Sequence, residues 1–353
     1  MILEGKRVLV TGGTGSLGKV LVRRLLSGEL GNLQKLVVFS RDEAKQHFMR
    51  LAFLQKKVAT DEVIYQNAER ILEFRIGDVR DYSSIAPNLR DVDVVVNAAA
   101  LKQVPACEYF PYQAVLTNIS GPENIVRAIQ ELRLPIETVV GVSTDKAAKP
   151  VNVMGMTKAI QERIFQQGNL RCPDTRFICV RYGNVLASRG SVIPFFHEQI
   201  KACGPVTITS VEMTRFLLSL DKAVDTIFAA MKFGNRGDTF IPRVASAKVI
   251  DVARVLIEDR PVEIKITGIR PGEKMHEILV SEEEKSRTIE VDNYYAIQSI
   301  LPEIQSRSGN DIPLKDEYSS KDELMTFEEL DKFLRQYKLM VNDTLTEDGE
   351  MLR

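Results

Sequence analysis

Arg7-Val8-Leu9-Val10-Thr11-Gly12-Gly13-Thr14-Gly15-Ser16-Leu17-Gly18 reads as a buried strand, a glycine turn and the opening of a helix. Each glycine has its own task at this spacing. Gly12 permits the tight turn, Gly15 lets a pyrophosphate approach the backbone, and Gly18 lets helix and strand pack closely. The helix behind them offers unpaired N–H groups and a positive dipole end to a phosphate. The stretch predicts a dinucleotide site with Gly12, Thr14, Gly15, Ser16, Leu17 and Gly18 against the cofactor.

Outward from it, short apolar β-branched runs recur at 36–39, 72–76, 92–97, 138–143 and 177–181, separated by helical segments. Continuous apolar strands of this kind belong to a parallel sheet covered on both faces. The expected class is α/β: a Rossmann-type doubly wound parallel sheet with a smaller, interleaved C-terminal substrate-binding part. Residues 1–182 are expected to form the dinucleotide-binding domain, with a core sheet shared with later segments. Residues 183–300 form the substrate part and 301–353 a charged tail. The long connection 41–68 reads as an extra helix or helix pair. Another helix runs from after Lys158 to about Gln167, an amphipathic one covers 325–339, and the last ten residues read as loose.

Bulk composition narrows the partners. The 353 residues are 44% hydrophobic and 27% charged, with 47 basic and 48 acidic side chains and a formal charge of -1. That excludes nucleic acid held by bulk electrostatics, though a local basic groove stays open. No signal-peptide pattern opens the chain and no apolar run approaches a bilayer span, so a cytoplasmic protein without a membrane segment is expected. The four cysteines lack metal spacing and read as reduced and structural; the three histidines are scattered. No metal is expected.

The second strand ends in Ser40-Arg41-Asp42-Glu43. A bare acid there would grip the 2′-hydroxyl of NAD, whereas the Arg41 guanidinium with Ser40 suits a 2′-phosphate, favouring NADP over NAD. Arg41 could instead merely pair with Asp42 or Glu43. Gly77-Asp78-Val79-Arg80 follows the third strand, where Asp78 could accept from the adenine amino group beside Val79. Asn97-Ala98-Ala99-Ala100 follows the fourth, where small Ala98 and Ala99 let backbone lie against the cofactor.

Further along stand Ser143-Thr144-Asp145-Lys146 and Met154-Gly155-Met156-Thr157-Lys158, then Arg181-Tyr182-Gly183-Asn184-Val185, Ser188-Arg189-Gly190-Ser191-Val192-Ile193-Pro194, Met213-Thr214-Arg215-Phe216 and Arg270-Pro271-Gly272-Glu273-Lys274. With the earlier motifs, and in this order, the chain resembles the extended short-chain dehydrogenases over roughly residues 5–300. More narrowly it is similar to their polysaccharide-biosynthesis group, which includes UDP-N-acetylglucosamine 4,6-dehydratases. In short-chain dehydrogenases the second segment usually reads Ser, then Tyr-x-x-x-Lys, and the tyrosine takes the substrate's hydroxyl proton. Here Met154 occupies the tyrosine position, and a thioether cannot take a proton.

The resemblance implies a redox-neutral reaction: hydride leaves C4 of the sugar, C5–H becomes acidic beside the 4-ketone, water leaves C6, and the hydride returns to C6. It implies that Asp145 protonates the departing 6-hydroxyl and that Lys146 takes the C5 proton. For that, the Lys146 pKa must be lowered by burial or by positive neighbours such as Lys158. Lys158 is expected on the nicotinamide ribose. The first proton acceptor stays open among Thr144, Lys158 through a water, and Lys146. Members of the group with methionine at this position are regarded as dehydratases, often with C5 inversion.

At the sugar-nucleotide end, the resemblance places Arg215 and Arg270 on the diphosphate and Asn184 on the phosphate or the acyl group. Ser191, Val192 and Pro194 form the loop over the nucleobase with Thr207 nearby, and Glu273 is on a ribose hydroxyl. Lys102 points to the sugar pocket and borders the cofactor, and Met154 shapes that pocket. The expected substrate is a UDP- or GDP-linked N-acetylhexosamine, first of all UDP-N-acetylglucosamine. A UDP-sugar 4-epimerase and a catalytically silent NADP-binding protein are the rival readings. Homo-oligomers, dimers or larger rings, are expected by analogy, with the tail helix as one contact.

Overall fold

The structure, a computed structural model, describes residues 1–54, 68–186, 191–305 and 313–343. Its frame is a nine-stranded sheet. The first six strands are β1 (Arg7–Thr11), β2 (Lys35–Ser40), β3 (Leu72–Ile76), β4 (Val94–Asn97), β5 (Thr138–Val142) and β6 (Arg176–Val180). They lie in the spatial order β3-β2-β1-β4-β5-β6, all parallel. The chain adds β2 and β3 on one side of β1 and β4 to β6 on the other. This switch of strand order between β1 and β4 opens the crevice in which such sheets bind ligands. β5 is buried along its whole length and β1, β2 and β6 nearly so, as their Val- and Leu-rich sequences require.

After β6 the chain leaves the sheet and returns twice. Strand Thr239–Pro242 adds parallel to β6, and the hairpin Thr288–Val291/Tyr294–Ile297 closes that edge antiparallel. The excursions build a second hydrophobic core around helices Val192–Lys201 and Val249–Ile257 and strand Val206–Ile208. The tail joins this core. Helix Phe327–Gln336 starts with a capping box at Thr326 and Glu329, and buries Leu330 and Leu334 completely against the same protomer. Leu339, Met340 and Val341 continue the packing.

Helix α1 (Ser16–Leu26) presents Gly18, Leu21, Val22, Leu25 and Leu26 to the sheet, the i, i+3, i+4, i+7 face of an amphipathic helix. In the long 41–68 connection, α2 covers Glu43–Leu54, and the remainder through residue 67 lies outside the described residues, as do the last ten. One expected boundary is corrected. The helix placed after Lys158 starts five residues earlier and spans Val153–Arg171, because the Asn152 side chain caps it by accepting from the Gly155 N–H at 2.8 Å. Met154 and Lys158 thereby fall four residues apart on one helical face. No helix among the described residues is long and apolar enough to cross a membrane.

Candidate active site

A cavity of about 2840 Å³ runs along the C-terminal ends of the strands. Gly12, Ser40, Asp78, Ala98, Ser143 and Tyr182, which end or follow six successive strands, all line it. This is where a doubly wound sheet puts its ligand.

At the glycine turn, Gly12 adopts φ +66, and a Cβ there would sit 2.8 Å from the Ala99 nitrogen. A Cβ on Gly18 would lie 2.5 Å from Gly13. Gly15 differs, since its Cβ would meet nothing nearer than the Gly12 oxygen at 3.4 Å. The protein's own packing does not require glycine there, whereas a molecule lying on the turn does. Gly15 also stands at the N-cap of α1, where it supplies no capping side chain to the first turn. These features fit a bound pyrophosphate. Thr14, Ser16, Leu17, Val79 and Ala99 line the same cavity.

At the adenosine end, the Arg41 side chain is 59% exposed and lies 3.9 Å from Asp78, while Asp42 pairs with Lys45 at 3.0 Å. The guanidinium is loosely held at the cavity wall. Asp78 is more committed: Arg80 binds it through the backbone N–H (3.0 Å), Nε (2.8 Å) and Nη2 (2.6 Å). Ser40 is buried and accepts from Gln46 Nε2 at 3.0 Å.

The catalytic candidates converge where β5 meets helix Val153–Arg171. Gly155 makes this possible, because a Cβ there would stand 2.2 Å from the Lys146 carbonyl oxygen. Glycine lets the helix press on the 145–147 turn, a role the sequence reading did not assign. Thr144, Lys146, Met154 and Lys158 line the cavity, whereas Asp145 is fully buried and is not among the lining residues. Thr144 Oγ1 donates to Asp145 Oδ1 at 2.7 Å, and Lys146 Nζ donates to the same oxygen at 3.0 Å.

The lowered pKa expected of Lys146 is not found. Burial alone would lower it, but the carboxylates of Asp145 and Glu277 outweigh that, and the ammonium is held above its ordinary value. Glu277 is the residue the sequence reading missed. It is buried, lines the cavity, and places Oε1 3.5 Å from Lys146 Nζ and 3.8 Å from Arg215 Nε. Its signal was the carboxylate that follows Arg270–Lys274 and directly precedes the apolar strand Ile278–Val280.

Lys158 behaves oppositely. Burial brings its pKa down to about 8, against the opposing effects of Cys179 and Glu162. Its Nζ donates to the Val142 carbonyl (2.6 Å) and to Gln161 Oε1 (2.7 Å). Met154 is packed with Cys107 and Ala114 in a small apolar cluster. Tyr182 and Tyr337 also line the cavity, but burial pushes the Tyr182 phenol up, so it does not replace the absent tyrosine as a base. Beneath the floor, Arg181 is clamped between Glu162 (2.6 Å) and Glu284 (2.8 Å), and Ser143 Oγ donates to Glu162 at 2.6 Å. That buried network ties β5, β6 and the Val153–Arg171 helix together beside the catalytic candidates.

The expected sugar-nucleotide residues share the same cavity: Lys102, Asn184, Ser191, Val192, Pro194, Thr207, Arg215, Arg270 and Glu273. Arg215 is aimed by donating to the Thr214 carbonyl at 2.7 Å. Asn184 Oδ1 and Ser191 Oγ are buried with no hydrogen-bond partner. Thr207 is occupied by Gln199, at 2.8 and 3.0 Å, and Glu273 accepts from Thr209 at 3.3 Å. Ser188–Gly190 lies outside the described residues. The tail contributes Tyr337, Lys338, Asn342 and Asp343 to the wall, which the sequence reading did not foresee. No group of metal-ligating side chains occurs among the described residues.

Several known proteins share this architecture. A UDP-glucose 4-epimerase from Rickettsia bellii (strain OSU 85-389) is 42% identical over 297 residues, 83% of this chain and 82% of that protein. The structure of Pen from Bacillus thuringiensis superimposes with a TM-score of 0.85 at 32% identity, covering 96% of this chain and all of Pen. DesIV, a dTDP-glucose 4,6-dehydratase from Streptomyces venezuelae solved with NAD bound, shares the fold at a TM-score of 0.63 and 20% identity, over 76% of this chain and 86% of its own. The family model described as "Polysaccharide biosynthesis protein" matches residues 8–299, and the chain belongs to that family.

Proposed function

We propose that this protein is a nucleotide-sugar 4,6-dehydratase of the lyase class. Its substrate in this reading is an N-acetylhexosamine linked to UDP or GDP, first of all UDP-N-acetylglucosamine. Its product is a 4-keto-6-deoxy sugar, with or without inversion at C5, for glycan assembly. One observation carries the reading: an ammonium between two carboxylates, Asp145–Lys146–Glu277, stands at the wall of a cavity that also holds the glycine turn and Lys158. Epimerisation at C4 needs a single proton acceptor, whereas dehydration needs further groups to move protons at C5 and C6.

NADP, held by the glycine turn, Ser40, Arg41 and Lys158, would take up the C4 hydride and return it to C6. Arg41 supports NADP over NAD because its loosely paired guanidinium can close on a 2′-phosphate. Arg215 and Arg270 supply charge for the diphosphate, and the unpartnered Asn184 Oδ1 and Ser191 Oγ offer polar atoms to the ligand. The Lys158 ammonium, weakened by burial, orients the ribose and favours negative charge developing on the sugar oxygen. We further propose a homo-oligomer, since Tyr109, Phe110 and Tyr112 stand exposed together; sedimentation of the purified protein reads this directly.

A second reading, a UDP-sugar 4-epimerase, is favoured by the 42% identity to the Rickettsia protein of that name. Incubation with UDP-N-acetylglucosamine in D2O, followed by NMR and mass spectrometry, separates the two. Loss of one water with deuterium at C5 supports dehydration, and the C5 coupling reports inversion. Unchanged mass with a galacto product establishes the epimerase. No turnover despite NADP binding leaves a silent binding protein.

A further inference from the structure

Glu277 is built into the cavity wall with more care than a neutralising charge needs. Its backbone is pinned from both directions: its N–H donates to Ser320 Oγ at 2.9 Å, and its carbonyl accepts from the Ser320 N–H at 2.8 Å. Its Oε1 faces two cations, Lys146 at 3.5 Å and Arg215 at 3.8 Å. Its Oε2 is buried and has no hydrogen-bond partner, although the residue lines the cavity. A buried carboxylate oxygen without a donor keeps its lone pairs uncommitted. Lys146 has the opposite character, since both neighbouring carboxylates keep it an ammonium with no lone pair to offer.

Resting on the dehydratase reading, we propose that Glu277 takes the C5 proton of the 4-keto sugar and that Lys146 protonates the departing 6-hydroxyl. The C5–H electrons form the C5–C6 double bond as the C6–O bond breaks. The proton goes to the Glu277 carboxylate, and the oxygen leaves as water with a proton from Lys146. The hydride that left C4 then returns to C6, and Glu277, its proton having exchanged with solvent, protonates C5. The proton released from the C4 hydroxyl at the start passes to solvent, and solvent returns one to Lys146 after it has protonated the leaving hydroxyl, so the balance is the loss of one water. The exchange turns a neighbouring ammonium and carboxylate into two neutral groups, so the net charge of the buried cluster does not change. In a low-dielectric wall that avoids the large penalty of an unpaired charge.

The test compares wild type with Glu277→Gln on UDP-N-acetylglucosamine in D2O, reading C5 deuterium, water loss and nicotinamide absorbance in single turnovers. A lost general base predicts at least about 100-fold slower C5 exchange and water loss. The 4-keto sugar and reduced nicotinamide should accumulate, with kcat falling far more than KM rises. A merely structural Glu277 would raise KM and leave the partition between oxidation and water loss where it was, and that result overturns the assignment. If Glu277→Gln fails to fold, judged by NADP binding, Glu277→Asp replaces it; the shortened carboxylate must slow C5 exchange selectively or the assignment falls. Wild type that dehydrates beside a Glu277→Gln protein exchanging C5 at the normal rate removes only the role of Glu277. Wild type that epimerises without losing water removes the dehydratase reading and this step together.

Discussion

Replacing Lys158 by methionine should stabilise the protein at neutral pH while abolishing turnover. The lysine is buried, and its pKa falls from 10.5 to about 8 on folding. At 1.36 kcal/mol per pH unit, carrying the ammonium into that site costs about 3 kcal/mol. The linkage sign follows: between pH 8 and 10.5 the unfolded chain binds more protons, so wild-type stability rises with pH across that window. Lys158→Met removes the charge and keeps a straight apolar chain of similar length. The Val142 carbonyl keeps a donor in Gln161 Nε2 at 3.0 Å, but Gln161 Oε1 loses its 2.7 Å partner. An orphaned acceptor offsets roughly 1–2 kcal/mol of the gain. The variant should therefore be about 1–2 kcal/mol more stable at pH 7. Urea unfolding of both proteins at pH 7, 8.5 and 10.5 should show this advantage disappear or reverse as wild type sheds its proton. A difference that stays constant over the pH series would refute the buried-ammonium reasoning.

Other consequences follow from the same geometry. Glu284 is depressed from 4.5 to about 2 by Arg181 despite its burial, so its contribution is present above pH 4.5 and lost as pH falls towards 2. That loss is about 3 kcal/mol and should be missing from the acid unfolding curve of Glu284→Gln. Gly15→Ala should keep the wild-type melting temperature but weaken cofactor binding in calorimetry, because its Cβ meets only the ligand's space. Gly18→Ala, whose Cβ lies 2.5 Å from Gly13, should instead lower stability. Arg41→Ala should weaken NADP by about tenfold or more with little effect on NAD, the value of one charge-assisted contact; equal effects on both would show that Arg41 does not read the 2′ position.

The sheet was legible because most of its strands are continuous apolar runs, and all of the first six begin within two residues of the expected start, with β1 and β3 matching at both ends. Parallel strands buried on both faces leave little room for another reading. The helix carrying Met154 and Lys158 was harder, because its start depends on Asn152 as a cap, and a motif read for chemistry hid a capping residue. The tail was read by its charge, yet Leu330 and Leu334 supply the apolar face that seats it, and Tyr337, Lys338, Asn342 and Asp343 then reach the cavity. Glu277 lies three residues beyond Lys274, where the motif Arg270–Lys274 ends. Its meaning comes from Lys146 and Arg215, 131 and 62 positions away in sequence, and only tertiary packing brings them together.

The distribution of unsatisfied polar atoms argues against a silent binding protein. Among the described residues these are Asn97 Nδ2, Asp145 Oδ2, Asn184 Oδ1, Ser191 Oγ, His197 Nδ1 and Glu277 Oε2. Each belongs to a residue that lines the cavity or is the chain neighbour of one that does. Each buried polar group left without a partner costs roughly 1–3 kcal/mol. Lys158 adds a similar burden, while the sheet carries none away from its ligand-binding edge. A scaffold that only bound a dinucleotide would gain stability by replacing the unsatisfied Asp145 and Glu277 with apolar side chains, since neither is among the groups proposed to hold the cofactor. Holding two carboxylates and two lysines around one end of the cavity makes physical sense where protons must move there.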